Sequence, residues 1–156
     1  YLQARWGRGL RARFALLYTR AQDKSLIDVD DDSLIVRAVD YYRTHGNHRS
    51  RAMAYYYYAV VHHNAGDIDG AMEALVKAQL EVEECDDSYL QGLIYSELGN
   101  AYYEQNTFGD AIEMYTLAVD AFERCGHKEN MFIALNSKGM AVFLNVQNDL
   151  HKKSYS

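Results

Sequence analysis

Proline is absent from all 156 residues and glycine occurs only ten times, which excludes a collagen-like chain and a Pro/Gly-rich disordered one. No apolar run approaches the roughly 20 residues that span a bilayer; the longest are broken by Arg, Asp or His. Cysteine occurs twice, too few for a disulfide framework. Basic charge is in deficit: the formal net charge is −6, which argues against nucleic acid as the main partner. The chain opens on Tyr1 and shows no signal-peptide pattern. It therefore reads as an excised or processed piece, with its compartment left open. No nucleophile elbow, phosphate-binding glycine loop or metal-ligand helix motif occurs, so no enzyme and no cofactor are expected.

What is present is a repeat. Ala38, Ala78 and Ala118 stand forty residues apart, as do Ala59, Gly99 and Gly139. Ala71 and Ala111 keep the interval, and so do Cys85 and Cys125. The tripeptide Ala38-Val39-Asp40 returns as Ala118-Val119-Asp120. A fixed period of this length marks stacked supersecondary units, and points to a binding surface rather than a catalytic pocket. At 49% hydrophobic residues, the chain can bury the core of one compact domain or a short solenoid.

Apolar residues recur at helical spacing and no stretch alternates as a strand does. The pattern predicts seven helices, over about 2–23, 31–45, 49–65, 68–85, 89–105, 108–125 and 128–146. Turn chemistry separates them: Asp30 to Ser33, Gly46-Asn47, Gly66-Asp67, Asp86 to Ser88, Asn106-Thr107 and Gly126-His127. Asp67 and Thr107 stand where N-caps are expected. The short connections make consecutive helices antiparallel neighbours. Equivalent helices of neighbouring units have one helix between them. Packed helices lie ~8–10 Å apart, beyond the reach of a disulfide, so Cys85 and Cys125 are expected as separate thiols.

The unit resembles the tetratricopeptide repeat. Residues 92–125 match it best, through Tyr95, Leu98, Gly99, Tyr102, Ala111, Tyr115 and Ala118, although Glu123 replaces the closing proline. The preceding unit matches through Tyr55, Tyr58, Ala59, Ala71, Leu75 and Ala78, with His62 at the second aromatic position. The following unit keeps Leu135, Gly139 and Val142, and the first keeps little beyond Ala38. The small residues fit where helix backbones approach closely, and the aromatics fill the space around them. Forty-residue versions resemble those of bacterial regulators and scaffolds that bind peptides or proteins. The resemblance implies one all-α domain over 1–156, a right-handed α-solenoid of stacked antiparallel pairs. Its units are 1–47 (degenerate), 48–87, 88–127 and 128–156 (truncated). It further implies a concave groove lined by the first helix of each unit.

By repeat position that groove holds Met53, Tyr56, Val60, His63 and Asn64, then Leu93, Ser96, Glu97, Asn100, Tyr103 and Glu104, then Ile133, Asn136, Ser137 and Met140. This mixture suits a peptide or protein partner: aromatics supply area, and Asn100 and Asn136 can hydrogen-bond its backbone. The Tyr55–Tyr58 run divides by helical geometry, with Tyr55 and Tyr58 in the packing seam, Tyr56 in the groove and Tyr57 at the edge. Some relatives of this repeat hold a C-terminal carboxylate with Lys, Arg and Asn. Asn100 fits that clamp, but Tyr56, Val60, Ile133 and Ser137 replace its basic residues, so no such clamp is expected.

Other constellations fail on geometry. His62 and His63 diverge by about 100° on a helix, and His45 and His48 lack a third ligand, so no metal is expected. Asp28-Val29-Asp30-Asp31-Asp32 begins like a calcium loop, but Ser33 replaces its turn glycine and Val39 its bidentate glutamate. These acids read instead as helix N-terminal residues favoured by the macrodipole. Cys125 beside His127 has no orienting third group. Arg5, Arg8, Arg11, Arg13 and Arg20 read as a solvated face, with a basic arm for phosphate or membrane head groups as the sharper alternative. Met140, Phe143 and Leu144 have little sequence after them to cover them. A short helix from about Asp149, continuation of the chain, or homodimerisation through this last helix would each do so.

Overall fold

The computed structural model describes residues 7–154. Among them the chain is all-α, with seven helices and no strand: α1 (Arg8–Lys24), α2 (Ile35–His45), α3 (His48–Asn64), α4 (Ile68–Val82), α5 (Ser88–Glu104), α6 (Phe108–Arg124) and α7 (Lys128–Ser154). Within each unit the helices pack chiefly on their chain neighbours, as short connections impose. The chain divides into two compact units, residues 1–86 with α1–α4 and residues 87–156 with α5–α7.

In the first unit Ala12, Ala15 and Leu16 of α1 and Ile35 and Ala38 of α2 are buried, with a larger core shared by α3 and α4. That core is rich in alanine, which lets helix axes approach closely. α2 begins four residues later than the spacing predicts. The reason is local: Asp31 Oδ1 accepts a hydrogen bond from the Ser33 amide at 2.8 Å, a turn that competes with the helix. The acids at 28–32 therefore precede α2 rather than occupying its first turn. Asn47, Asp67 and Asp87 each cap the following helix through a side-chain oxygen. Thr107 stands at its N-cap position but does not cap; its hydroxyl donates to the Tyr102 carbonyl at 3.0 Å. Gly66 and Asn106, forty residues apart, both turn the chain through positive φ between the helices of a pair. Glycine and asparagine are the residues that tolerate that conformation.

The second unit rests on aromatic rings set against glycines. A Cβ on Gly92 would stand 2.5 Å from the Phe122 ring, and one on Gly99 would stand 2.6 Å from the Tyr115 ring. Both pairs lie at the same antiparallel register, seven residues apart on each helix. The equivalent register in the first unit holds Ala52 with Val82 and Ala59 with Leu75, all buried. One partner grows where the other shrinks, which keeps the packed volume roughly constant.

α7 runs eight residues past the predicted end, and no separate helix starts near Asp149. Nothing after Gly139 breaks it, and His151, Lys152 and Lys153 complement the macrodipole at its C-terminus. Ala134 and Ala141 are buried, while Phe132, Met140, Phe143, Val146 and Leu150 are exposed on other faces. A Cβ on Gly139 would meet nothing within 4 Å, so its smallness serves no packing in this unit. Neither cysteine forms a disulfide. Among the described residues no helix is long and apolar enough to cross a membrane.

The repeat-equivalent glycines should therefore respond oppositely to alanine. Gly99→Ala gains helix propensity of about 1 kcal/mol, but forces the Tyr115 ring out of place and should destabilise by about 1–3 kcal/mol in all. Gly139→Ala should stabilise by about 0.5–1 kcal/mol. Urea denaturation of both variants checks this; two shifts of the same sign would refute the packing difference.

Candidate functional site

Helical periodicity builds one cleft within the second unit. Leu93, Ser96, Glu97 and Asn100 share one face of α5, spaced i, i+3, i+4 and i+7. Asn130, Ile133, Ala134 and Ser137 share one face of α7 with the same spacing. Tyr115 and Phe122 of α6 complete the lining. The volume of the cleft is about 160 Å³, comparable to one medium side chain.

The chemistry of the cleft is set by Tyr115. It is 2% exposed, and its hydroxyl donates to Asn100 Oδ1 at 2.8 Å. That bond fixes the orientation of the amide. Asn100 Nδ2 has no partner among the described residues and is left as a donor at the cleft. Burial pushes the Tyr115 hydroxyl up to about 12, with the charges of Glu97 and Glu104 and the neighbouring Tyr103 adding to it; a hydrogen bond with Ser137 works the other way. Tyr115 thus stays protonated and neutral across physiological pH. It acts as a fixed hydrogen-bond donor rather than an acid or base.

The residues that the repeat positions nominate separate into several groups. Ser96 and Asn100 line the cleft, together with Leu93, Glu97, Ile133 and Ser137. Tyr103 and Glu104 do not; the Tyr103 ring packs edge-to-face on Phe108 at 5.4 Å, and Glu104 is exposed. Asn136 and Met140 are exposed on α7 outside the lining, because Asn136 is rotated about 100° from Ser137. In the first unit Tyr56 is 5% exposed and set edge-to-face on Tyr57 at 4.9 Å. It belongs to the core, so it is not available as a groove anchor. Tyr57, expected at the edge, is 3% exposed, whereas Tyr55 and Tyr58 are half-buried. A helix packed on more than one side buries a wider arc than a single seam. Met53 is buried, Val60 is half-buried and His63 is exposed. Asn64 is exposed, but its amide Nδ2 donates to the Val29 carbonyl at 3.1 Å and so ties down the loop before α2.

Tyr115, Phe122, Asn130 and Ala134 are lining residues that the sequence reading does not nominate. Tyr115 reads as a packing aromatic, which it also is. The i, i+3, i+4, i+7 set on α7 ending at Ser137 could have found Asn130.

Histidines serve structure here. His62 Nδ1 lies 2.7 Å from Asp67 and Nε2 lies 3.3 Å from Asp32, joining the turns before α2 and α4. The Gly70 amide and then His62 hold the Asp67 carboxyl below its ordinary range. Burial raises Glu81, but Arg51 and His48, at 2.9 and 2.7 Å, outweigh that and leave it lowered. Cys125 donates to the Phe122 carbonyl, while the His127 ring packs on Tyr89 and Phe122. Among the described residues no group of three or more His, Cys, Asp or Glu is placed to hold a metal ion.

Known proteins do not name this site. No protein-family model, no curated protein and no solved structure matches the chain.

The burial of the Tyr115 hydroxyl has a stability signature. Tyr115 ionises near 12 when folded and at about 10 when unfolded. A raised folded value gives stability that is fully present below pH 10 and is lost as pH climbs toward 12. Tyr115→Phe should cost about 1 kcal/mol near pH 8 and should escape that alkaline loss. Urea midpoints of both proteins at pH 8 and 11 should therefore converge at the higher pH. A constant gap would mean that Tyr115 is not held in its protonated form by the fold.

Proposed function

We propose that the chain is a non-catalytic, tetratricopeptide-like module that binds a peptide or protein segment, and that the cleft between α5 and α7 is its recognition site. The observation that carries this reading is Asn100. Its carbonyl oxygen is taken by Tyr115, and its amide nitrogen is offered unpartnered at a cleft lined by Leu93 and Ile133. An oriented amide donor beside apolar walls suits a main-chain carbonyl flanked by one apolar side chain. Orientation fixed before binding reduces the entropy lost on association. Glu97 at the rim favours a partner without acidic residues next to that side chain.

The test is a displayed-peptide selection against the full chain and an Asn100→Ala, Ile133→Lys double variant. A common motif should be enriched on the unsubstituted chain and lost on the variant, with helical circular dichroism unchanged. A motif retained by the folded variant would place binding elsewhere, and no enrichment on either protein would remove the reading.

A second reading, a structural role through self-association, is favoured by α7. Eight large apolar side chains on it, Phe132, Ile133, Leu135, Met140, Val142, Phe143, Val146 and Leu150, are about half exposed. Together they present on the order of 800 Å², one partner's share of a standard interface. A two-fold at the level of Ala141 would set Phe143 of one copy over the bare Gly139 of the other, and Phe132 against Leu150. Sedimentation should then show a dimer that Phe143→Lys dissociates. A monomer for the unsubstituted chain throughout the micromolar range would exclude this role.

A further inference from the structure

The first unit contains a second cavity, of about 400 Å³, between α1 and α2. Arg8 and Arg11 of α1 line it from one side. Arg37, Asp40, Tyr41, Thr44 and His45 of α2 line it from the other. We propose that this cavity is an anion site for a phosphate monoester carried on a small planar group. It is independent of the cleft in the second unit.

The argument starts from charge. Some cations of this acidic chain are partnered, Arg51 with Glu81, Lys77 with Glu73 and Arg124 with Gln91; of those that are not, three converge on this cavity. Arg8, Arg11 and Arg37 make no ion pair or hydrogen bond among the described residues, and neither does Asp40. Three guanidiniums against one carboxylate leave the lining with an excess of two positive charges. A phosphate monoester carries nearly two negative charges at neutral pH. Its three oxygens match the paired N–H donors of guanidinium groups, which a single carboxylate does less completely.

The planar carrier follows from the wall. The His45 ring lies parallel to Tyr41, with centroids 4.5 Å apart and planes 6° apart. It is held there by Thr44 Oγ1 at 2.8 Å and the Tyr41 carbonyl at 3.2 Å from Nδ1. This fixed pair of rings offers aromatic surface beside the arginines. Gly9 makes room for it: a Cβ there would stand 2.7 Å from the Tyr41 hydroxyl. That hydroxyl has no hydrogen-bond partner among the described residues, so it can donate to an anion. The volume exceeds what phosphate alone would fill.

Phenyl phosphate is the probe, titrated into the full chain at about pH 7.5, where the monoester is nearly doubly charged, and followed by amide NMR shifts. Saturable shifts should map to Arg8–Arg11 and Arg37–His45. Arg11→Gln and Arg37→Gln should each weaken binding about tenfold, as charge-assisted hydrogen bonds require. Asp40→Asn should tighten it about threefold by removing a like charge. Arg43→Gln removes the same unit of charge from α2 outside the lining and should change affinity less than about twofold. Shifts that never saturate, or an Arg43→Gln loss equal to that of Arg37→Gln, would overturn the site in favour of diffuse charge attraction. Inorganic phosphate binding as tightly as phenyl phosphate would overturn the planar carrier. Competition by a phosphotyrosine peptide would assign the ligand to a modified protein. Its failure, with phenyl phosphate still bound, would assign it to a free organic phosphate; either result supports the site.

Discussion

The contact between the Tyr115 ring and the backbone of Gly99 is the constraint from which the second unit follows. A glycine on α5 lets an aromatic ring of α6 lie directly against the helix backbone. Only from there can the Tyr115 hydroxyl reach Asn100 one position further along α5. The same ring contributes to the lining of the cleft, so the packing and the cleft share one side chain. Gly92 and Phe122 repeat the contact two turns away. Two such contacts at one register fix how α5 lies on α6, and with it where the α5 face meets α7.

The helices and their order were legible because period 3.6 and turn chemistry act locally. Gly66, Asn106 and the caps at Asp67 and Asp87 stop and start helices through bonds within a few residues. The late start of α2 was less legible, since an Asp-Ser turn and helical spacing compete over the same residues. The length of α7 was hidden for a related reason. Its last two turns are polar, and a helix there needs only the absence of breakers, which carries no periodic signal.

The candidate site was half legible. Repeat register puts Ser96 and Asn100 on one face of α5, and that face lines the cleft. It failed at Tyr56, since register gives a direction but not how many neighbours converge on it. It also failed at Asn136, where one residue of error rotates a side chain by about 100°. Polar side chains raise a further difficulty. Asn64 and His62 look available in the sequence but are occupied by loop carbonyls and carboxylates that only the fold brings near. Arg8 and Arg11 present the reverse case, charges that look solvated in sequence and converge with Arg37 on one cavity.

Repetition and specificity meet at one register. Val60, Asn100 and Met140 occupy the same position of successive units, and Leu75 and Tyr115 occupy another. Where Leu75 stands, the α3 partner position holds Val60, and both are apolar. Where Tyr115 stands, the α5 partner position holds Asn100, and the two are hydrogen-bonded. A buried hydroxyl facing valine would lack an acceptor, and a half-buried amide facing leucine would lack a fixed orientation; each costs free energy alone. The polar pair is therefore admissible only as a pair. Gly99 is its third member, because Ala59 at the equivalent place suits leucine, whereas a methyl group at 99 would strike the tyrosine ring. Three coupled changes at one register turn a structural repeat into a unit with an oriented donor at a cleft.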